Sequence, residues 1–266
     1  MSNHPIVITG CQRSGTTLLN LIMNSHPDVC GVDESQFVPG RIAEFLASPG
    51  YGPYVCFKLP GQAHSLDWFR KLPGVRIIWA ARDPRDVVAS MIRLRIVAGD
   101  VKERMAAHPR AGARVQVPAT LQVLGKLPPD LENDMRAFTG QVQTPPARRT
   151  PEQLAVAASL HWRLKQELLR LYEAAGLAYY VVNYESLVID PDTEIRRLMQ
   201  YLGLRWHDDV LRHHQLHSGR SIGDTDNTRA IDQRSMGRWK EALDATQLAC
   251  VRRICGPAAA RLGYVL

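Results

Sequence analysis

The chain has 266 residues, of which 45% are apolar and 22% charged, and it carries a formal net charge of +7. That length suits one well-buried α/β domain and is short for two full ones. An aromatic content of 7% argues against a stacking platform for single-stranded nucleic acid, and the scattered basic residues favour a phosphate-rich small ligand over a nucleic-acid stripe.

Pro5 to Thr9 is a β-branched run closed by Gly10 and predicts a buried strand. The run PIVITG is far too short for a signal-peptide core or a membrane span, so a cytoplasmic location is expected. CQRSG follows, and then an apolar helical pattern of Leu18, Leu19, Leu21, Ile22 and Met23 that stops at His26-Pro27. Further strands are predicted over Asp28–Val32, Tyr54–Lys58, Arg76–Ala81 and Ala178–Asn183, with helical patterns at about 35–48, 64–72, 84–98 and 152–175. This alternation implies right-handed βαβ units and a P-loop-type α/β fold: one domain over 1–266 with a mostly parallel sheet flanked by helices. Its ligand is expected beyond the carboxyl ends of the strands.

Residues 106–150 and 215–237 show no clear periodicity, as lids and disordered segments do. A helical or irregular insertion over 99–150 is expected. Cys11, Cys30, Cys56, Cys250 and Cys255 form no CxxC pair and are odd in number, so neither a zinc site nor a disulfide framework follows. His213, His214 and His217 offer no defensible ligand spacing, and no metal is expected.

Gly10-Cys-Gln-Arg-Ser-Gly15-Thr16-Thr17 fits the phosphate-loop pattern G-x-x-x-x-G-K-[ST] at every position but one, with Thr16 where the lysine belongs. Amides of such a loop and the positive end of the next helix hold a phosphate. The lost lysine and the lack of a magnesium-binding aspartate after Ala81 argue against a kinase or nucleotide hydrolase. Arg13 is the replacement cation; a strand-to-helix turn that binds nothing is the alternative. Arg82 follows the RIIWAA strand, Asp83 reads as a helix N-cap with Pro84 in the first turn, and Ser90 lies two turns on. A surface ion pair of Arg82 with Asp86 is the plainer reading of that arginine alone.

TGCQRSGTTLL resembles the 5′-phosphosulfate loop of sulfotransferases that use 3′-phosphoadenosine-5′-phosphosulfate (PAPS). RSGTTLLNLIMNSHPDVCGVDES is similar to tyrosylprotein sulfotransferases and related bacterial enzymes. The likeness continues in RIIWAARDPRDVVASMIR, VVNYESLVIDP and MGRWKEAL, but not over 99–150. It implies that Arg13, Ser14, Gly15, Thr16 and Thr17 bind the 5′ end of PAPS, with Arg13 meeting the leaving phosphate. It implies Arg82 and Ser90 for the 3′-phosphate. It also implies Tyr184 as a nucleotide contact, unless Tyr184 is a core tyrosine at a strand end. Arg234, Ser235, Arg238 and Lys240 are candidates from a closing C-terminal segment. Glu34 corresponds to the catalytic base, with Asp33 as the alternate, although the family's GEE reads VDE here. Lys58 corresponds to the lysine that polarises the bridging oxygen or the sulfate. The expected acceptor is a small-molecule, lipid or glycan hydroxyl, or an amine. Its pocket is built from 99–150 and the following long helix, where His161 and Trp162 line it or sit in the core. Neither nucleic acid nor a membrane span is expected, and a homodimer is compatible with the sequence. A P-loop small-molecule kinase and a non-catalytic nucleotide-binding module are the competing readings.

Overall fold

The computed structural model describes residues 3–37, 41–48, 50, 52–97, 113–141, 149–217 and 225–266. The chain divides into two compact units. A sheet unit takes 1–10, 14–81 and 172–234, and a helical unit takes 11–13, 82–171 and 235–266.

In the sheet unit five strands, β1 (His4–Gly10), β2 (Val29–Val32), β3 (Tyr54–Lys58), β4 (Arg76–Ala81) and β5 (Tyr179–Asn183), lie in the order β2-β3-β1-β4-β5. Every pairing is parallel, with His4 opposite Tyr54, Ile6 opposite Arg76, Val29 opposite Tyr54 and Ile77 opposite Tyr179. Strands covered on both faces need near-continuous apolar runs. Ile6, Val7 and Ile8, Val55 to Phe57, and Ile77 to Ala81 supply them and are buried. The connection leaving β1 runs toward one edge of the sheet and that leaving β4 toward the other. A crevice therefore opens beyond the carboxyl ends of these two neighbours, the usual ligand position in such sheets. The parallel α/β architecture expected from the sequence is thus the one adopted.

The helical unit is organised on the Pro151–Glu167 helix. Thr150 caps it, and Gln153 returns the bond in a capping box. Val87, Val88, Met91, Ala155, Ala158, Trp162, Val251, Cys255 and Ala258 make its apolar core. Arg163 is buried within it, paired with Glu167 at 2.6 Å and Asp130 at 3.3 Å and donating to the Ile254 carbonyl at 2.9 Å. A buried guanidinium is tolerable only with its donors satisfied in this way.

Four helical expectations need correction. Among the described residues the 35–48 pattern yields an α-helix at Ile42–Ala47, while Asp33 takes the amide and hydroxyl of Ser35 and holds 33–37 as a turn. The 64–72 pattern shortens to Leu66–Phe69, and the 84–98 pattern to Pro84–Arg93, after which Arg95 adopts a left-handed φ of 54°. The 152–175 pattern splits at Leu168 into Pro151–Glu167 and Leu169–Ala174. In the patternless stretch two helices form, Ala113–Leu124 and Pro129–Gln141. The first carries Pro118 internally, which hid it. The second begins at the double proline read as irregular, with Asp130 and Glu132 complementing its positive end. Of that stretch 99–112 and 142–148, and of the polar C-terminal segment 218–224, lie outside the described residues.

Candidate active site

The sheet unit brings the start of the first helix to the crevice. Gly10 turns the chain out of β1 at φ 124°, where a Cβ would stand 2.5 Å from the Ala80 carbonyl oxygen. Gly15, at φ 92°, is the N-cap of the Thr16–Asn24 helix, and a Cβ there would lie 2.6 Å from a ring carbon of Tyr184. Both positions demand glycine for conformation and for space. Tyr184 is buried, and its ring packs against Gly15. No side chain caps the helix and no acid stands in its first turn. Ser14 is 1% exposed, and among the described residues its hydroxyl has no hydrogen-bond partner. Unclaimed amides, a positive helix end and a buried donor without an acceptor fit an anion such as phosphate.

At the ends of β2 and β3 stands a charged trio. Lys58 closes β3 and is 3% exposed. Its Nζ lies 2.5 Å from Asp33 Oδ2 and 3.9 Å from Glu34 Oε1. The two carboxylates are driven apart. Burial would raise Asp33, but the Lys58 charge and hydrogen bonds from Lys58 and Ser35 hold it below the ordinary aspartate value. Glu34 is half-buried and rises above its ordinary value, chiefly through burial and further through the charge of Asp33, with Lys58 opposing. Adjacent acids with separated pKa values can divide the labour of ion pairing and proton transfer. The alternate base of the sequence analysis is thus engaged by the lysine.

The helical unit holds a second cationic cluster. Arg13 sits in the left-handed region at φ 71°, and its Nε donates to Ser90 Oγ at 3.0 Å. The Arg82 guanidinium is buried and donates to the Arg13 carbonyl at 3.2 Å and to the Ser235 carbonyl. Asp83 caps the Pro84–Arg93 helix as expected, accepting from the Arg85 amide, with Pro84 in its first turn. Arg13, taken from the phosphate loop, and Arg82 and Ser90, taken together from the resemblance, therefore form one cluster, joined by Ser235. Lys240 and Arg238 stay at the exposed surface, and Arg234, in the sheet unit, is exposed beside Asp232.

Sequence reasoning missed Lys165 and under-read two groups that it named, Asp86 and His161. Asp86, read only as an ion-pair partner of Arg82, is buried and accepts from the amides of Gly237 and Trp239. His161 is buried with Nε2 2.9 Å from Gln12 Oε1, and burial, then Lys165, pushes its pKa down to about 3. Lys165 is 1% exposed and interacts with Cys11, whose thiol burial pushes up to about 12. The spacing of His161 and Lys165, one helical turn apart, was the available signal. Trp162 is fully buried in the core, and His217 contacts Ser25 at 3.0 Å. Among the described residues no His, Cys, Asp or Glu group could hold a metal, and no helix is long and apolar enough to cross a membrane.

The family model of the sulfotransferase domain matches residues 63–263, and a second sulfotransferase family model matches residues 5–48. The chain belongs to the sulfotransferase family. It is a transferase, and PAPS, the sulfuryl donor of the family, is its co-substrate. Protein-tyrosine sulfotransferase 1 of Danio rerio is 23% identical to this sulfotransferase over 308 residues, covering 97% of this chain and 72% of the relative. A putative protein-tyrosine sulfotransferase of Caenorhabditis briggsae is 24% identical over 242 residues, covering 79% and 69%. Among solved structures, the sulfotransferase domain of the Synechococcus PCC 7002 olefin synthase superposes with a TM-score of 0.57 at 18% identity, covering 100% of this chain and 97% of that one. A mouse sulfotransferase complexed with PAP gives 0.52 at 12% identity, covering 98% and 89%. At such identities these two likenesses show that this sulfotransferase shares their fold.

Proposed function

We propose that this sulfotransferase moves the sulfuryl group of PAPS to a hydroxyl or amine of a small-molecule, lipid or glycan acceptor, with Glu34 as general base and Lys58 as the cation at the transferring group. Glu34 takes the acceptor proton, the acceptor oxygen or nitrogen bonds to sulfur, and the sulfur–oxygen bond to the 5′-phosphate breaks. Adenosine 3′,5′-bisphosphate leaves. The charge growing on the leaving phosphate needs donors already in place. Ser14 to Thr17, the helix start and Arg13 supply them at the 5′ end, and Arg82 and Ser90 take the 3′-phosphate.

The observation that carries this reading is the unequal pair beside Lys58. Asp33 is held ionised against a buried ammonium, which leaves Glu34, with its raised pKa, as the carboxyl suited to accept a proton. The insertion over 99–150 is read as part of the acceptor site. All five cysteines are free, which suits the reducing cytoplasm. A homodimer is compatible with this reading and is tested by light scattering.

The experiment is sulfuryl transfer from radiolabelled PAPS to a panel of phenols, sugars, lipid alcohols, amines and, because the curated relatives are named for it, a tyrosine peptide. Glu34→Gln should retain nucleotide binding and lose about 10²–10⁴-fold in turnover. A Glu34→Gln enzyme at the wild-type rate overturns the base assignment. Sulfation of the peptide alone overturns the acceptor class.

A further inference from the structure

Asp86, in the first turn of the Pro84–Arg93 helix, and Arg82, just before its N-cap Asp83, present opposite charges to a single short stretch of backbone. Asp86 is 3% exposed. Its Oδ2 accepts from the Gly237 amide at 2.8 Å and its Oδ1 from the Trp239 amide at 3.0 Å. Arg82, four residues earlier, donates to the Ser235 carbonyl and lies 3.8 Å from Asp86 Oδ2. Each end of segment 235–239 thus meets the group of complementary polarity: the guanidinium takes its carbonyl and the carboxylate takes its amides. Arg85 lays its guanidinium over the Trp239 ring, 4.3 Å from the centroid, while its other face is paired with Asp83 at 2.7 Å. A left-handed Gly237, φ 70°, lets the chain turn so that both amides reach one carboxylate.

We propose that Asp86 is a positioning residue for the 3′-phosphate site, clamping segment 235–239 so that the Arg82 guanidinium is held in one orientation. The proposal rests on the assignment of Arg82 and Ser90 to the 3′-phosphate. The physical cause is direct. A buried carboxylate with two charge-assisted N–H bonds is satisfied, and the segment it holds is fixed. Removing it leaves two amides without an acceptor, loosens Ser235 and frees Arg82 to take other rotamers. An arginine that must be reordered by the ligand binds a phosphate more weakly than one already ordered. The 5′ end touches this clamp through the Arg13 carbonyl, which accepts from Arg82, whereas the 3′-phosphate would bind the guanidinium itself, so the loss falls chiefly on the 3′-phosphate.

The test compares adenosine 3′,5′-bisphosphate with adenosine 5′-monophosphate by isothermal titration on the full chain, for wild type, Asp86→Asn, Asp86→Ala and Arg82→Met. Asp86→Asn keeps the shape and one acceptor oxygen, and is expected to weaken bisphosphate binding about tenfold, with monophosphate binding changed less than about twofold. Asp86→Ala should lose more of the preference. Arg82→Met should lose nearly all of it. If Arg82→Met keeps the preference for the bisphosphate, the 3′-phosphate assignment is wrong. If Arg82→Met loses it while both Asp86 variants retain it, Asp86 does not position the site. Where the Asp86 variants fail to fold, amide hydrogen exchange on the wild type decides: slow exchange at Gly237 and Trp239 supports the clamp, and exchange at the rate of an open loop refutes it.

Discussion

Replacing Lys165 by methionine should stabilise the protein at neutral pH, and the gain should vanish in alkali. The side chain is 1% exposed in the middle of the Pro151–Glu167 helix. Burial lowers its pKa from 10.5 to about 8, with Cys11 opposing weakly. At about 1.4 kcal/mol per unit, that depression is a cost of about 3 kcal/mol whenever the amine is charged in both the folded and unfolded chain. Below pH 8 both states hold the proton and the cost is complete. Between about 8 and 10.5 the unfolded chain keeps the proton while the folded one sheds it, so wild-type stability climbs with pH. Above 10.5 the cost is gone. Methionine fits the volume, favours a helix and carries no charge. After allowing for lost amine contacts, Lys165→Met should be more stable by about 1–3 kcal/mol at pH 7. Urea unfolding of both proteins at pH 7 and pH 10 reads this as two stability differences. A Lys165→Met protein less stable than wild type at pH 7, or a difference that does not shrink by pH 10, refutes the reasoning.

Asp33→Asn should destabilise by about 2–4 kcal/mol, because it strips the ion pair from a buried ammonium and leaves only Glu34 at 3.9 Å. Adding Lys58→Met to that variant should recover most of the loss in a urea titration; no recovery would mean the pair is not what is stabilised. The acid limb of kcat/KM should lie above pH 4.5, since Glu34 is raised and must be deprotonated to act as base. Glu34→Gln should erase that limb, and a limb that persists assigns it to another group. Gly15→Ala should cost about 2–4 kcal/mol from left-handed strain and a Cβ 2.6 Å from Tyr184. Tyr184→Leu in the same background should return only the steric part, and a Gly15→Ala protein of wild-type melting temperature would show that the turn is not fixed as described.

The strands were legible because burial on both faces forces unbroken β-branched and apolar runs, and PIVITG and RIIWAA are such runs. The glycines of the donor loop were legible for a similar reason, since a backbone with positive φ tolerates little else. Helix limits were less so. The turn at Asp33 to Phe37 wins over helix through one side-chain bond to Ser35 that composition cannot show. The Pro129–Gln141 helix starts at a proline, the residue that elsewhere signals its absence. In the site, the loop pattern pointed to Arg13 and the family resemblance to Arg82 with Ser90, yet neither showed that Arg13 is hydrogen-bonded into the same cluster. Asp86 does pair with Arg82 at 3.8 Å as the four-residue spacing suggests, but the pair is buried, and the carboxylate's hydrogen bonds come from amides some 150 residues away in the chain, which spacing could not show.

The central place of β1 also dictates a timetable during synthesis. Its neighbours are Tyr54–Lys58 and Arg76–Ala81, so β1 has no partner until residue 58 has left the ribosome and lacks its second until residue 81 has. Closing such distant contacts is slow, and until then an apolar ribbon waits in the open. The turn that begins at Gly10 cannot be moulded against Ala80 before then. The phosphate loop therefore cannot take its final shape until some seventy residues after its own synthesis, and chaperone protection of the apolar β1 run would matter most over that interval.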